Sequence, residues 1–330
     1  MPQTIKIKQL IILIILFSTL ASCSNNDNES GKWEIVHEQL PAALTAIWGI
    51  NSQDIWAVGG NTVDNKGSLI LHFDGEKWER LYSNSDSDLW WIFGFAEGPI
   101  FFGGSKGLIL KYFEGQFETM ETPGDATVYG IWGTSENDLW AVGGNIINGA
   151  FAWRYNGEKW ENAERFPAGL SRTQSLFKVW GENPEKVWLI GTNGKTIFFN
   201  GKDFIGQATK TQYPLFTIHG NNVSNPVIVG GLVKGVILEN INGEWVDKSP
   251  KNTPHLMGIF SRNNQSYAVG INTSILRQIN NEQWGEIQTG IKSEKGLHSI
   301  WIDEKGGVWT VGGNVLAPPL TEGIMLYRSP

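Results

Sequence analysis

Few residues in this 330-residue chain are spaced for covalent chemistry. The five His are scattered, and no H-E-x-x-H, EF-hand loop, phosphate loop or G-x-S-x-G appears. No pair of carboxylates is singled out by spacing as a general acid and base. The run at 83–88 (SNSDSD) could hold a cation through oxygen ligands, or form a solvated turn. We therefore expect no catalytic residue, cofactor or metal site, and look to recognition instead. An Asn recurs two residues after a repeated Gly, as Asn61, Asn145, Asn193, Asn272 and Asn314, with Ser105 and Leu232 in the two remaining copies. It is either a ring of amides around an axis or a residue that tolerates left-handed turns. A second set, Thr45, Trp90, Tyr129, Phe177, Phe216, Met257 and His298, occupies one register of seven strands. It could be an aromatic channel mouth for a peptide or glycan, or blade packing. Lys178 is the oddest charge, in a column otherwise holding Ala46, Gly130, Thr217, Gly258 and Ser299. The candidate ligand-binding residues are thus the five Asn, Trp90, Lys178 and His298.

These residues fall at fixed places in an internal repeat. One aromatic column reads Trp48, Phe93, Trp132, Trp180, His219, Phe260, Trp301, and a Gly column reads Gly59, Gly103, Gly143, Gly191, Gly230, Gly270, Gly312. Their separations are 11, 10, 11, 11, 11, 10 and 11 residues, as one hairpin used seven times requires. Apolar alternation between turn residues marks the segments as strands. A fourth-strand column reads Trp33, Trp78, Phe117, Trp160, Phe204, Trp245, Trp284, and the last repeat ends without its own copy. Its missing strand stands at the other terminus, around Trp33. The predicted fold is all-β, a seven-bladed β-propeller over 31–330 whose N-terminal strand closes the last blade. With Trp56, Trp140, Trp188 and Trp309 in the second strands, the columns hold 13 of the 16 Trp, leaving Trp90, Trp91 and Trp153 outside, so Trp abundance reflects inter-blade packing.

The repeat resembles secreted bacterial propellers with units of the form W-G…D-[VIL]-W-A-V-G…[YF]-[DN]-G-x-x-W. These are often labelled BNR-like or Kelch-like and share a pattern with the photosystem II assembly-factor propeller. Residues 133–160, with Asp138-Leu139-Trp140-Ala141-Val142-Gly143 and Tyr155-Asn156-Gly157-Glu158-Lys159-Trp160, match most fully. The resemblance implies fold far more than function. Sialidases are the tempting enzymatic analogy, but no S-x-D-x-G-x-x-W turn occurs.

Residues 1–22 read as an export signal, with Lys6 and Lys8 before a short apolar run at 10–17. Leu20-Ala21-Ser22-Cys23 resembles the lipobox of bacterial lipoproteins, which implies acylation at Cys23 and a lipid-anchored protein of the bacterial cell envelope. The alternative is an ordinary secretory signal. With a single Cys there is no disulfide framework and no Cys-based zinc site. Residues 24–30 read as a polar tether. The net charge of −7 argues against nucleic acid as a partner.

Loop lengths locate the binding face. The turns between first and second strands are uniform, whereas the 2→3 and 4→1 connections vary, most in blades 1 and 7 and in the crossover at 165–173. The expected function is non-enzymatic binding of an envelope protein, peptide or glycan through that face. The alternative is a carbohydrate-active hydrolase or lyase with its pocket there, which as a hydrolase needs paired carboxylates.

Overall fold

The computed structural model describes residues 31–167, 174–280 and 283–330. The signal at 1–22, Cys23, the tether at 24–30 and part of the crossover at 165–173 lie outside these residues. Gly31–Pro330 forms one compact unit. It contains seven four-stranded sheets, antiparallel at each pairing described below.

Blade 1 comprises Leu44–Asn51, Asp54–Asn61, Ser68–Phe73 and Trp78–Leu81; blade 2, Leu89–Gly94, Ile100–Gly104, Ile109–Phe113 and Gln116–Thr119. Blade 3 comprises Thr127–Ser135, Asp138–Asn145, Gly149–Tyr155 and Trp160–Asn162; blade 4, Leu176–Asn183, Lys186–Gly191, Thr196–Phe199 and Phe204–Gln207. Blade 5 comprises Leu215–His219, Val227–Gly231, Gly235–Ile241 and Glu244–Asp247; blade 6, Leu256–Arg262, Gln265–Gly270, Ile275–Asn280 and Gln283–Glu286. Blade 7 takes Gly296–Ile302, Val308–Asn314 and Thr321–Arg328 from the C-terminal end and Trp33–Leu40 from the N-terminal end.

The closing strand pairs antiparallel to the last one, with Trp33 opposite Arg328, Ile35 opposite Leu326 and Leu40 opposite Gly323. It runs on from Trp33 as far as Leu40. The partner Thr321–Arg328 continues to offer backbone groups, and two bulges, at 35–37 and 37–40, absorb the mismatch. The first strand of each blade is innermost and touches the first strands of both neighbours all the way round. Each inter-blade interface holds its own apolar cluster, so both faces of every sheet are buried.

Close packing explains the two Gly positions of the repeat. A Cβ at Gly312 would stand 1.8 Å from the Gly296 carbonyl oxygen, and one at Gly143 1.9 Å from that of Thr127. The second strand can therefore approach the start of the first only as Gly. The Gly after the column aromatic accommodates the preceding blade. A Cβ at Gly49 would meet the Trp301 ring at 2.7 Å, at Gly94 the Trp48 ring at 2.9 Å, and at Gly181 the Trp132 ring at 2.8 Å. These three rings each couple one blade to the next. In blade 6 the Gly becomes Ser261, and the aromatic facing it from blade 5 shrinks to His219, whose Nδ1 accepts the Ser261 amide at 3.1 Å.

Candidate binding face

Two cavities lie on the axis, separated by a partition. The one at the ends of the innermost strands has a volume of about 310 Å³ and is walled by the column aromatics, including Trp48, Trp132, His219 and Trp301, with Arg262. The one at the beginnings of those strands has a volume of about 470 Å³ and opens on the side of the 2→3 and 4→1 connections. Trp91, Lys178 and Thr217 line both, and so form the partition.

The larger cavity is bounded by an aromatic arc. His298 of blade 7 lies 6.1 Å from Trp90 of blade 2, ring to ring. Blade 1 permits that reach because it contributes only Thr45, whose hydroxyl donates to the Val58 and Leu89 carbonyls. The arc continues from Trp90 to Tyr129 at 5.6 Å, Phe177 at 5.4 Å, Phe216 at 5.2 Å and His255 at 5.2 Å. Met257 of blade 6 completes the wall. Contacts of this kind, edge-on, tilted or, for Phe216 and His255, stacked, hold aromatic rings in fixed orientations.

Lys178 sits at the floor with 4% of its surface exposed. Its Nζ lies 3.1 Å from the centroid of the Trp91 ring and donates to the Tyr129 carbonyl at 3.3 Å. Burial holds its amine well below the usual lysine range. Burial likewise lowers His298 to about 4, with the Lys178 and His255 charges adding to the shift and the Thr45 carbonyl opposing it. His298 is therefore neutral near pH 7, and its Nδ1–H donates to the Thr45 carbonyl at 2.5 Å. No Asp or Glu lines either axial cavity among the described residues. The carboxylate pair that a hydrolase requires is thus missing from both.

Of the candidate residues, the fold brings Trp90, Lys178 and His298 together in this cavity. The five Asn lie outside it: Asn61, Asn145 and Asn314 end the second strands, and Asn193 and Asn272 lie just past theirs. Asn193 and Asn272 have φ of 55°. Asn145 Oδ1 accepts the Ile147 and Asn148 amides at 2.9 and 2.7 Å. Asn314 Nδ2 donates to Thr321 Oγ1 at 3.2 Å, and the Asn61 amide donates to Asp88 Oδ1 at 2.8 Å. Turn geometry thus accounts for most of this column. Asp88, from the 83–88 run, is used in that contact, and among the described residues no group of His, Cys, Asp and Glu is arranged to hold a metal ion.

Two features escaped the sequence reading. His255 joins the cavity wall, and its Nε2 is buried without a hydrogen-bond partner. The 2→3 loops also carry exposed apolar side chains: Val63 at 65%, Ile146 at 84%, Ile147 at 68%, Leu232 at 61%, Val233 at 91% and Leu316 at 68%. Among the described residues no other large hydrophobic side chain is more than 60% exposed. Leu232 and Leu316 also line the cavity, joining this crown to its mouth. Apolar residues inside turns otherwise rich in Gly and Asn were the available signal. The crown is supported from beneath. In blade 1, Arg80 Nη1 donates to Asp64 Oδ2 at 2.7 Å, and hydrogen bonds from Thr62 and Arg80 hold the Asp64 carboxyl down at about 2.

No family model matches the chain, and no curated protein sequence matches it. Solved structures share its fold. YCF48 from Cyanidioschyzon merolae aligns at 14% identity over 91% of this chain and 99% of its own, with a TM-score of 0.68. YCF48 bound to D1 peptide aligns at 13% identity over 90% of this chain and 97% of its own, with a TM-score of 0.67. The WD40 repeats of RRP9 align at 11% identity over 90% and 98%, with a TM-score of 0.70. At such identities the likeness establishes the propeller architecture alone.

Proposed function

We propose that this chain is a binding propeller of the BNR-like or Kelch-like repeat type, held at the bacterial cell envelope by lipid on Cys23. It engages a protein or peptide partner through the face formed by the 2→3 and 4→1 connections, and binds that partner without transforming it. The observation that carries this reading is the concentration of exposed apolar side chains on the 2→3 loops, continuous with the aromatic cavity through Leu232 and Leu316. Exposed apolar surface is costly in water and marks interaction sites. A solved propeller of the same architecture, YCF48, is described as bound to a peptide, which supports a polypeptide ahead of the glycan alternative.

The test is photo-crosslinking from benzoylphenylalanine placed in the full-length chain in its native cells, at Leu316 on the crown or at Ile241 on the third strand of blade 5. We expect a protein adduct from position 316 and none from 241. Equal labelling from both, or none from 316, would overturn the assignment of the face. Incorporation of an alkyne fatty acid that disappears in Cys23→Ser tests the anchor separately.

A further inference from the structure

Three residues that carry basic nitrogens line the larger axial cavity, and among the described residues no Asp or Glu lines it. Lys178 forms the floor, while His298 and His255 stand in the wall. His298 is close enough to both others to feel their charges. His255 Nε2 has no partner, and Lys178 Nζ has only one carbonyl and one ring face. A buried ammonium is ordinarily paired, because desolvating it alone is costly. Here every other group at the floor and wall is aromatic, aliphatic or already committed. Thr217 Oγ1, for example, donates to the Met257 carbonyl at 2.6 Å.

We infer that this cavity captures the C-terminal carboxylate of a polypeptide whose last side chains are apolar, with Lys178 meeting the carboxylate and the aromatic arc enclosing the side chains. This rests on the partner-binding role proposed above and specifies what the partner presents. One amine that becomes a cation when an anion arrives, at the closed end of an apolar cavity, suits a single negative charge at the tip of an apolar body. A volume of about 470 Å³ takes only the end of a chain. The exposed apolar crown extends well beyond that volume, so the occupant continues out of the mouth and over the loops. A free acid that fitted the cavity alone would leave the crown uncovered.

Proton uptake follows from the same geometry. The groups facing Lys178 are Trp91 from blade 2, Tyr129 from blade 3, Thr217 from blade 5, His255 from blade 6 and His298 from blade 7; His219 and Arg262 line the cavity beyond the partition. None supplies a negative charge. With its amine held low by burial, Lys178 takes a proton from solvent as the carboxylate arrives, forming N–H⁺···⁻O and carrying no net charge into the cavity.

The test uses the folded propeller and a bead-bound random hexapeptide library attached by its N-terminus. The library is made once with free carboxyl ends and once amidated, with dodecanoate as the free-acid arm. We expect selected sequences to bind about tenfold or more tighter as acids than as amides. Lys178→Met should bring that ratio to about one. Calorimetry of the wild-type complex in two buffers of different ionisation enthalpy should show net proton uptake on binding, with affinity falling as pH rises. The acid–amide comparison needs no variant, so misfolding of Lys178→Met does not decide the matter. Equal binding of acids and amides, or no binding of either library, overturns the inference. Binding of dodecanoate without any peptide overturns the choice of a polypeptide end. Crosslinking from Leu316 together with any of these negative results leaves the partner-binding role standing and removes only the carboxylate.

Discussion

The two ends of the axis are made by the same seven strands and obey different rules. Where the innermost strands end, aromatic rings lean over the next blade's Gly, as Trp301 does over Gly49 and Trp132 over Gly181. Each ring there bridges two blades, and the hairpin spacing scarcely varies. Where the strands begin, Trp90, Tyr129, Phe177 and Phe216 touch one another around a cavity, and the connections outside them vary in length. The first arrangement uses aromatic area to join sheets; the second uses it to wall a space. One end can therefore be repeated with little change, while the other is free to carry exposed apolar loops and an unpaired lysine.

Removing residues 31–40 should have the largest effect on this contrast. It strips the outer strand from blade 7 and exposes the Thr321–Arg328 edge. We expect loss of the single cooperative thermal transition, followed by circular dichroism, because each blade is buried only between two neighbours. Next, Trp301→Ala should cost about 3–5 kcal/mol in denaturant unfolding, whereas Phe177→Ala in the cavity wall should cost about 1–2 kcal/mol. Equal costs would erase the distinction between the two ends.

The pH dependence comes from both ends and has one sign in two windows, stability rising with pH in each. Burial, with the Arg262 charge adding, lowers His219 to about 3, and burial lowers His298 to about 4. Below pH 6.5 the unfolded chain binds these protons and the folded chain does not, so stability should fall as pH drops from 6.5 toward 3. Lys178 also titrates lower when folded. Its contribution to stability should grow as pH rises toward its ordinary value of 10.5. His219→Phe should flatten part of the acid limb in pH-dependent unfolding curves.

Smaller effects on stability test the crown. Leu232→Asp with Leu316→Asp should abolish the crosslinked adduct while changing unfolding free energy by no more than about 0.5 kcal/mol. The smallest contrast is Asn193→Gly against Asn193→Ala. At a φ of 55° Gly should be neutral and Ala should cost about 1 kcal/mol, with partner binding unaltered in both.

The columns of Trp, Phe and Gly made the repeat, the count of seven and the closure legible, because packing between blades imposes the same sizes at the same spacing in each copy. The cavity residues were only partly legible. Trp90 and His298 stood in a recognisable strand register, and Lys178 broke its column. The recurring Asn drew attention by repetition, yet repetition is what a shared turn produces, and Asn193 and Asn145 meet local backbone needs. His255 gave no sign, since a residue just ahead of a strand can face either way.

The sequence alone determined that this chain folds as a closed wheel and which side of it varies, because strand period, ring size and Gly spacing are local properties repeated along the chain. Tertiary structure alone decided that Lys178, His255 and His298, from blades 4, 6 and 7, share one cavity without a carboxylate. That meeting arises from ring closure, which brings residues as far apart as Lys178 and His298 to a common axis.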